Sequence, residues 1–87
     1  MKSEETIEQK LEDMRIELKR KWYMNTADMD RTNGYVHALD WSKLKSEAEI
    51  KQKIRELEFN RMRGHRHVDE ADFDSGYVEA LNWVVGK

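Results

Sequence analysis

The chain has 87 residues, of which 39% are charged and 38% hydrophobic, and it contains neither proline nor cysteine. This composition favours long helices with polar outer faces and excludes disulfide bonds and cysteine-based chemistry. The net charge of −2 supplies neither the positive field typical of nucleic-acid-binding proteins nor the strong acidity of a nucleic-acid mimic. Apolar runs are too short to cross a membrane and no signal peptide is recognisable, so we expect a soluble, cytoplasmic protein with no membrane partner.

Two stretches of sequence occur twice along the chain. Residues 2–11 and 45–54 are identical at six of ten positions, with an offset of 43. Residues 34–41 and 76–83 are identical at six of eight positions, with an offset of 42. We therefore predict a single domain, residues 1–87, that contains a duplicated helical hairpin, with unit one at residues 2–44 and unit two at residues 45–87.

The first and third helices are predicted to begin just after Ser3 and Ser46, because a serine hydroxyl suits the N-cap position. Apolar residues then recur at steps of three and four, which predicts one buried stripe on each helix. The stripes comprise Ile7, Leu11, Met14, Leu18 and Trp22 in the first helix, and Ile50, Ile54 and Leu57 in the third.

The second and fourth helices carry a broader apolar arc with an alanine near its middle, which permits close helix approach. The arcs comprise Tyr35, Ala38, Leu39 and Trp41 in the second helix, and Tyr77, Ala80, Leu81, Trp83 and Val84 in the fourth. Short loops favour antiparallel neighbours, so the two hairpins are predicted to form an all-α four-helix bundle with approximate internal two-fold symmetry.

An alternative concerns the link between the hairpins. Residues 41–46 contain no glycine or proline, so the second and third helices could form one continuous helix, with hairpins swapped between the chains of a homodimer. Ser46 as an N-cap favours a break.

A second set of apolar residues is predicted to face outward. Ile16 and its repeat equivalent Phe59 lie about half a turn from the buried stripes, and Tyr23 lies one heptad beyond Ile16. Scattered apolar residues on a surface are ordinary. Because these recur in both units, an association surface formed by Ile16, Tyr23 and Phe59 is the competing interpretation.

Basic residues cluster around both hairpin turns, where they could contact phosphate or an acidic protein surface. The residues are Lys19, Arg20 and Lys21 at the first turn, and Arg61, Arg63 and Arg66 at the second. Cations at helix C-termini also complement the helix macrodipole, which is the simpler explanation.

No arrangement of side chains typical of an active site is recognisable. There is no glycine-rich phosphate loop, no Ser-His-Asp set and no HExxH helix. His65 and His67 are of a type that ligates metals, but alternate positions on a loop do not fix a coordination geometry. We therefore predict no catalytic activity, no metal and no cofactor.

The repeated pattern Gly-Tyr-Val-x-Ala-Leu-x-Trp, preceded by a charged amphipathic helix, resembles the small helical accessory proteins of tailed phages and archaeal viruses. The resemblance implies a protein that binds and inhibits a host enzyme or defence complex, as anti-CRISPR-type proteins do. We therefore expect a non-catalytic protein-binding module, whose partner is a host or defence protein, a second copy of itself, or both. The alternatives are a nucleic-acid-binding regulator that uses the basic turns, and a purely structural, self-assembling protein.

Overall fold

The computed structural model describes residues 1–20, 26–62 and 68–86, with the side chains of residues 26–28, 60–62 and 68–70 left out of the description. These parts of the chain form four helices: α1 (Glu4–Arg20), α2 (Thr26–Ser42), α3 (Glu47–Met62) and α4 (Val68–Val85). No strand occurs among the described residues. The predicted all-α fold with four helices is confirmed.

Serine side chains cap α1 and α3 at their N-termini, as predicted. The backbone N–H of Thr6 donates to Ser3 Oγ at 3.2 Å, and the backbone N–H of Glu49 donates to Ser46 Oγ at the same distance. Each hydroxyl satisfies an amide that has no partner within its own helix. The Ser46 hydroxyl also contacts the Glu49 carboxylate, with 3.1 Å between Oγ and Oε1. Both hairpin units therefore begin with the same local interaction.

A turn separates α2 from α3. The fully buried Ser42 donates its hydroxyl to the carbonyl oxygen of Leu39 at 3.1 Å, and its own carbonyl accepts the N–H of Lys45 at 3.0 Å. This hydrogen bond joins residues three positions apart, in place of the four-residue spacing of an α-helix. The chain therefore leaves the α2 axis at this turn. The alternative of one continuous helix is therefore wrong, because Ser46 begins a new helix.

The two helices with broad apolar arcs, α2 and α4, form the centre of the bundle, with α1 packed on α2 and α3 packed on α4. The ring of His37 lies 5.6 Å from that of Phe73, and the ring of Trp41 lies 6.5 Å from that of Tyr77. α1 and α2 pack together across a short connection, so α1 begins where α2 ends, and Lys2 also bonds to Val84 at the end of α4. α2 and α4 therefore end on the same side of the bundle and run in the same direction.

Two glycines bring the α2 and α4 backbones together. A Cβ atom at Gly34 would overlap the carbonyl oxygen of Phe73, and a Cβ atom at Gly76 would overlap the carbonyl oxygen of Arg31. The two contacts are equivalent under the repeat, since both glycines and both carbonyl residues are 42 positions apart. The bundle therefore has an approximate two-fold relation centred on this pair of contacts.

The chain closes on itself at the end of the bundle where α2 and α4 finish. The backbone N–H of Lys2 donates to the carbonyl oxygen of Val84 at 2.8 Å. This bond joins Lys2, two residues before α1, to the end of α4, as the bond from Lys45 to Ser42 joins the two hairpins. Gly86 ends α4 with a φ of 90°, a conformation that glycine adopts without strain.

The core contains most of the residues that periodicity predicts. Ile7, Leu11, Leu39, Ile50, Ile54, Leu57 and Leu81 are buried, together with Ala38, Ala80, Val78 and Val84. Met14 and Leu18, predicted to be buried, are only half-buried. Met14 lines an open cleft beside α2, which admits water to one side of it. Trp22 lies outside the described residues.

Replacement of Gly34 or Gly76 by alanine should destabilise the protein. Helix propensity alone predicts a gain of about 1 kcal/mol from either change. The added methyl would instead overlap a backbone carbonyl of the facing helix, and forced separation of packed elements typically costs about 1–3 kcal/mol or more. Urea unfolding of both variants would measure the effect, which should be similar at the two equivalent sites. An increase in stability in either variant would show that the helices do not approach so closely.

Replacement of Leu11 or Ile54 by alanine should lower the free energy of unfolding by about 2–5 kcal/mol, because each side chain is almost fully buried and its loss leaves a cavity. Ile16→Ala is the matched control, since Ile16 is 49% exposed and should change stability by less than about 1 kcal/mol. Thermal unfolding compares the three variants. Equal losses at buried and exposed positions would contradict the core assignment.

Candidate protein-binding surface

The outer sides of α1 and α3 each present a large apolar residue to solvent. Ile16 is 49% exposed and Phe59 is 59% exposed. Ile16 follows the buried Ile7 by nine residues, and Phe59 follows the buried Ile50 by nine, a spacing that rotates a helix by half a turn. The prediction that Ile16 and Phe59 face outward is therefore confirmed.

Charged residues continue these two outer stripes. On α1, Glu8 and Glu12 precede Ile16 at steps of four residues, and we call these three residues the α1 face. On α3, the equivalent positions hold Lys51, Arg55 and Phe59, which we call the α3 face. All six side chains are exposed. The two faces thus share one geometry and one apolar position, but carry charges of opposite sign.

The charges on the α3 face are only weakly engaged within the chain. Lys51 Nζ lies 3.6 Å from Glu47 Oε1, and both side chains are about half exposed. An exposed pair four residues apart on a helix contributes only about 0.3–0.5 kcal/mol. Lys51 is therefore available to exchange this partner for a carboxylate on another protein.

The structure describes only part of the predicted basic turns. Lys19 and Arg20 are exposed in the last turn of α1, three and four residues after Ile16, where they extend the α1 face and complement the helix macrodipole. Tyr23, Lys21, Arg63 and Arg66 lie outside the described residues, as does the side chain of Arg61. A role for these residues in binding stays a prediction.

Two exposed apolar residues were not singled out by the sequence analysis. Leu44 is 76% exposed and Met1 is 53% exposed. They are 43 positions apart, the offset that relates the two helical repeats. Each precedes a capping serine by two residues. The alignment of the two repeats could therefore have identified Met1 and Leu44 as an equivalent pair. They lie at the opposite end of α1 and α3 from Ile16 and Phe59.

Four lysines lie over aromatic rings at the junctions between outer and central helices. The distances from Nζ to the ring centroid are 4.7 Å for Lys2 over Trp83, 5.8 Å and 5.7 Å for Lys10 over Tyr35 and Trp83, 5.5 Å for Lys45 over Trp41, and 5.9 Å for Lys53 over Tyr77. Such contacts contribute about 0.5–1 kcal/mol each at exposed sites. They hold α1 and α3 against the central pair, so these aromatic rings serve the fold.

A cleft of about 280 Å³ lies between α1, α2 and α4. Its lining residues are Lys10, Met14, Glu17, Arg31, Thr32, Tyr35 and Glu79. Burial, with a smaller contribution from the Glu79 carboxylate, raises the pKa of Tyr35 to about 12. Burial also raises the pKa of Tyr77, the repeat equivalent of Tyr35. Both phenols therefore stay protonated at neutral pH, and neither is activated as a base or nucleophile.

The described part of the chain shows neither a metal cluster nor a membrane span. Among the side chains that the structure describes, no group of three or more His, Cys, Asp or Glu is arranged to hold a metal ion. No helix among residues 1–20, 26–62 and 68–86 has the length and apolar character needed to span a membrane. His65 and His67 lie outside the described residues.

Comparisons with known proteins identify no relative of this chain. No family model matches the sequence, and no curated protein and no solved structure is significantly similar to it. The resemblance to small viral accessory proteins therefore stays a prediction.

Tyr35 provides a test of the packing beside the cleft. The folded protein holds the Tyr35 proton up to about pH 12, whereas an unfolded chain releases it near pH 10.0. The stability that depends on the protonated phenol is therefore complete below pH 10.0 and is lost as the pH rises toward 12. Urea unfolding across this range should show a steeper decline for the wild type than for Tyr35→Phe. Parallel declines would show that the phenol is not buried as described.

Proposed function

We propose that this protein is a non-catalytic protein-binding module that associates through the outer sides of α1 and α3. The observation that carries the proposal is the exposure of Ile16 and Phe59 at equivalent positions of two otherwise polar helix faces. Apolar side chains of this size are costly to leave in water, and their burial contributes about 1.5–3 kcal/mol each. Their presence in both units favours a selected binding surface over an accident of composition.

The arrangement of these faces suits the covering of a partner's surface. Both apolar residues are presented by helices that are fixed by buried stripes on their opposite sides, so association requires little ordering of the backbone. An apolar residue surrounded by charged side chains has the pattern of an interface centre with a polar rim. Lys19 and Arg20 extend that rim on α1 and add electrostatic specificity.

We further propose that the partner is a host or defence protein and that binding blocks its active surface. The support is the resemblance to accessory proteins of tailed phages and archaeal viruses, together with the absence from the sequence of any recognisable catalytic arrangement. The lack of cysteine suits a reducing compartment, so the proposed site of action is the host cytoplasm.

Charged substitutions on the two faces should abolish binding without unfolding the protein. In Ile16→Glu and Phe59→Glu, a carboxylate replaces an apolar side chain at the centre of the proposed interface. The loss of such a side chain lowers the binding free energy by about 2 kcal/mol or more, which weakens binding at least tenfold. Affinity capture from nuclease-treated host lysate, with identification of the bound proteins, measures the effect. Circular dichroism confirms that both variants remain helical.

The matched control is Leu44→Glu, which adds the same charge in place of an exposed apolar residue that lies before α3, at the opposite end from Phe59. This control should retain the captured partner. Retention of every partner by Ile16→Glu and Phe59→Glu would contradict the proposal. Loss of the captured material after nuclease treatment of the wild type, with binding that falls steeply with salt, would favour phosphate contacts by the basic turns instead.

A further inference from the structure

The α1 and α3 faces are complementary to each other. Glu8 and Glu12 on α1 occupy the positions that Lys51 and Arg55 occupy on α3, at the same four-residue spacing from Ile16 and Phe59. If α1 of one copy lies parallel to α3 of another, with Ile16 beside Phe59, each carboxylate meets a cation. The same alignment brings the two exposed apolar side chains into contact.

We propose that the partner of each face is the opposite face of a second copy of this chain. The inference rests on the proposed function in using the same faces, but it names a different occupant. Charge decides among possible pairings. With the helices parallel, two α1 faces would oppose carboxylates and two α3 faces would oppose cations, and like charges placed together across an interface are disfavoured. Among the parallel pairings, only the α1 face against the α3 face joins unlike charges. Two antiparallel α1 faces would set Glu12 against Arg20, and that pairing would be unaffected by charge changes on α3.

The topology determines what kind of assembly results. α1 packs on α2 and α3 packs on α4, so the two faces point away from opposite sides of the central pair. One copy therefore cannot use both faces on the same neighbour in a closed two-fold dimer. A contact between different surfaces repeats from copy to copy, which produces head-to-tail chains unless a ring closes. The average mass of the wild type should therefore rise progressively with concentration.

Charge reversal on one face at a time tests this pairing. The α1 variant carries Glu8→Lys and Glu12→Arg, and the α3 variant carries Lys51→Glu and Arg55→Glu. Each variant alone should self-associate at least about tenfold more weakly than the wild type, because each brings like charges together. An equimolar mixture of the two variants should recover association, since every contact between unlike variants again joins opposite charges. Sedimentation velocity over a range of concentrations measures all three samples.

The two variants change the net charge in opposite directions, so a loss of association in both reports the pairing of the faces and not the net charge of the chain. Circular dichroism should show that both variants are helical. A wild type that stays monomeric at about 1 mM, or a mixture that does not recover association, would overturn the inference.

The outcome is separable from that of the proposed function. If the charge variants behave as expected while Ile16→Glu and Phe59→Glu still capture every foreign partner, the self-association stands and the foreign-partner proposal fails. If capture depends on Ile16 and Phe59 while the mixed variants do not associate, the binding module stands and the pairing between copies is overturned.

Discussion

The close contact between the α2 and α4 backbones is the constraint on which the rest of the structure depends. Gly34 and Gly76 remove the side chains that would hold the two helices apart, and each helix then rests on a carbonyl of the other. This contact brings Glu79 beside Tyr35 and places the ring of Trp41 against that of Tyr77. It also leaves no space between the central helices for α1 and α3. These two helices must pack on the outside, where they bury one stripe each and expose the opposite side.

Duplication gives the two outer helices the same geometry while allowing their surface chemistry to differ. The buried positions of the outer helices hold apolar residues in both units, such as Leu11 in one and Ile54 in the other. The exposed positions are free to change, and between the units Glu12 has become Arg55 while the apolar character of Ile16 is kept in Phe59. This outer position stays apolar while its neighbours reverse their charge, and the fold does not require an apolar residue there, which is why we propose that it belongs to a binding surface.

Sequence periodicity predicted the features that depend on one helix at a time. The caps at Ser3 and Ser46, the stripe through Ile7 and Leu11 and the outward position of Ile16 each follow from spacing within a few residues. The prediction of antiparallel neighbours also implied that α2 and α4 run in the same direction. That these two helices form the central pair did not follow from periodicity, because it depends on contacts between residues about 42 positions apart. The sequence pattern predicted close helix approach at the alanines of the repeated motif. Ala38 and Ala80 are indeed fully buried, but the backbone contacts themselves are made at the glycines. The cleft beside Tyr35 was missed for the same reason, since Glu79 reaches it only through tertiary packing.

Nuclear Overhauser contacts across the central pair provide the most direct measurement of this account. The α protons of Gly34 should give cross-peaks to the backbone around Phe73, and those of Gly76 should give cross-peaks to the backbone around Arg31. An isotope-filtered experiment on mixed labelled and unlabelled chains should show that both sets arise within one chain. The absence of both sets, or their appearance only between chains, would contradict the proposed centre of the bundle and the outward placement of α1 and α3 that follows from it.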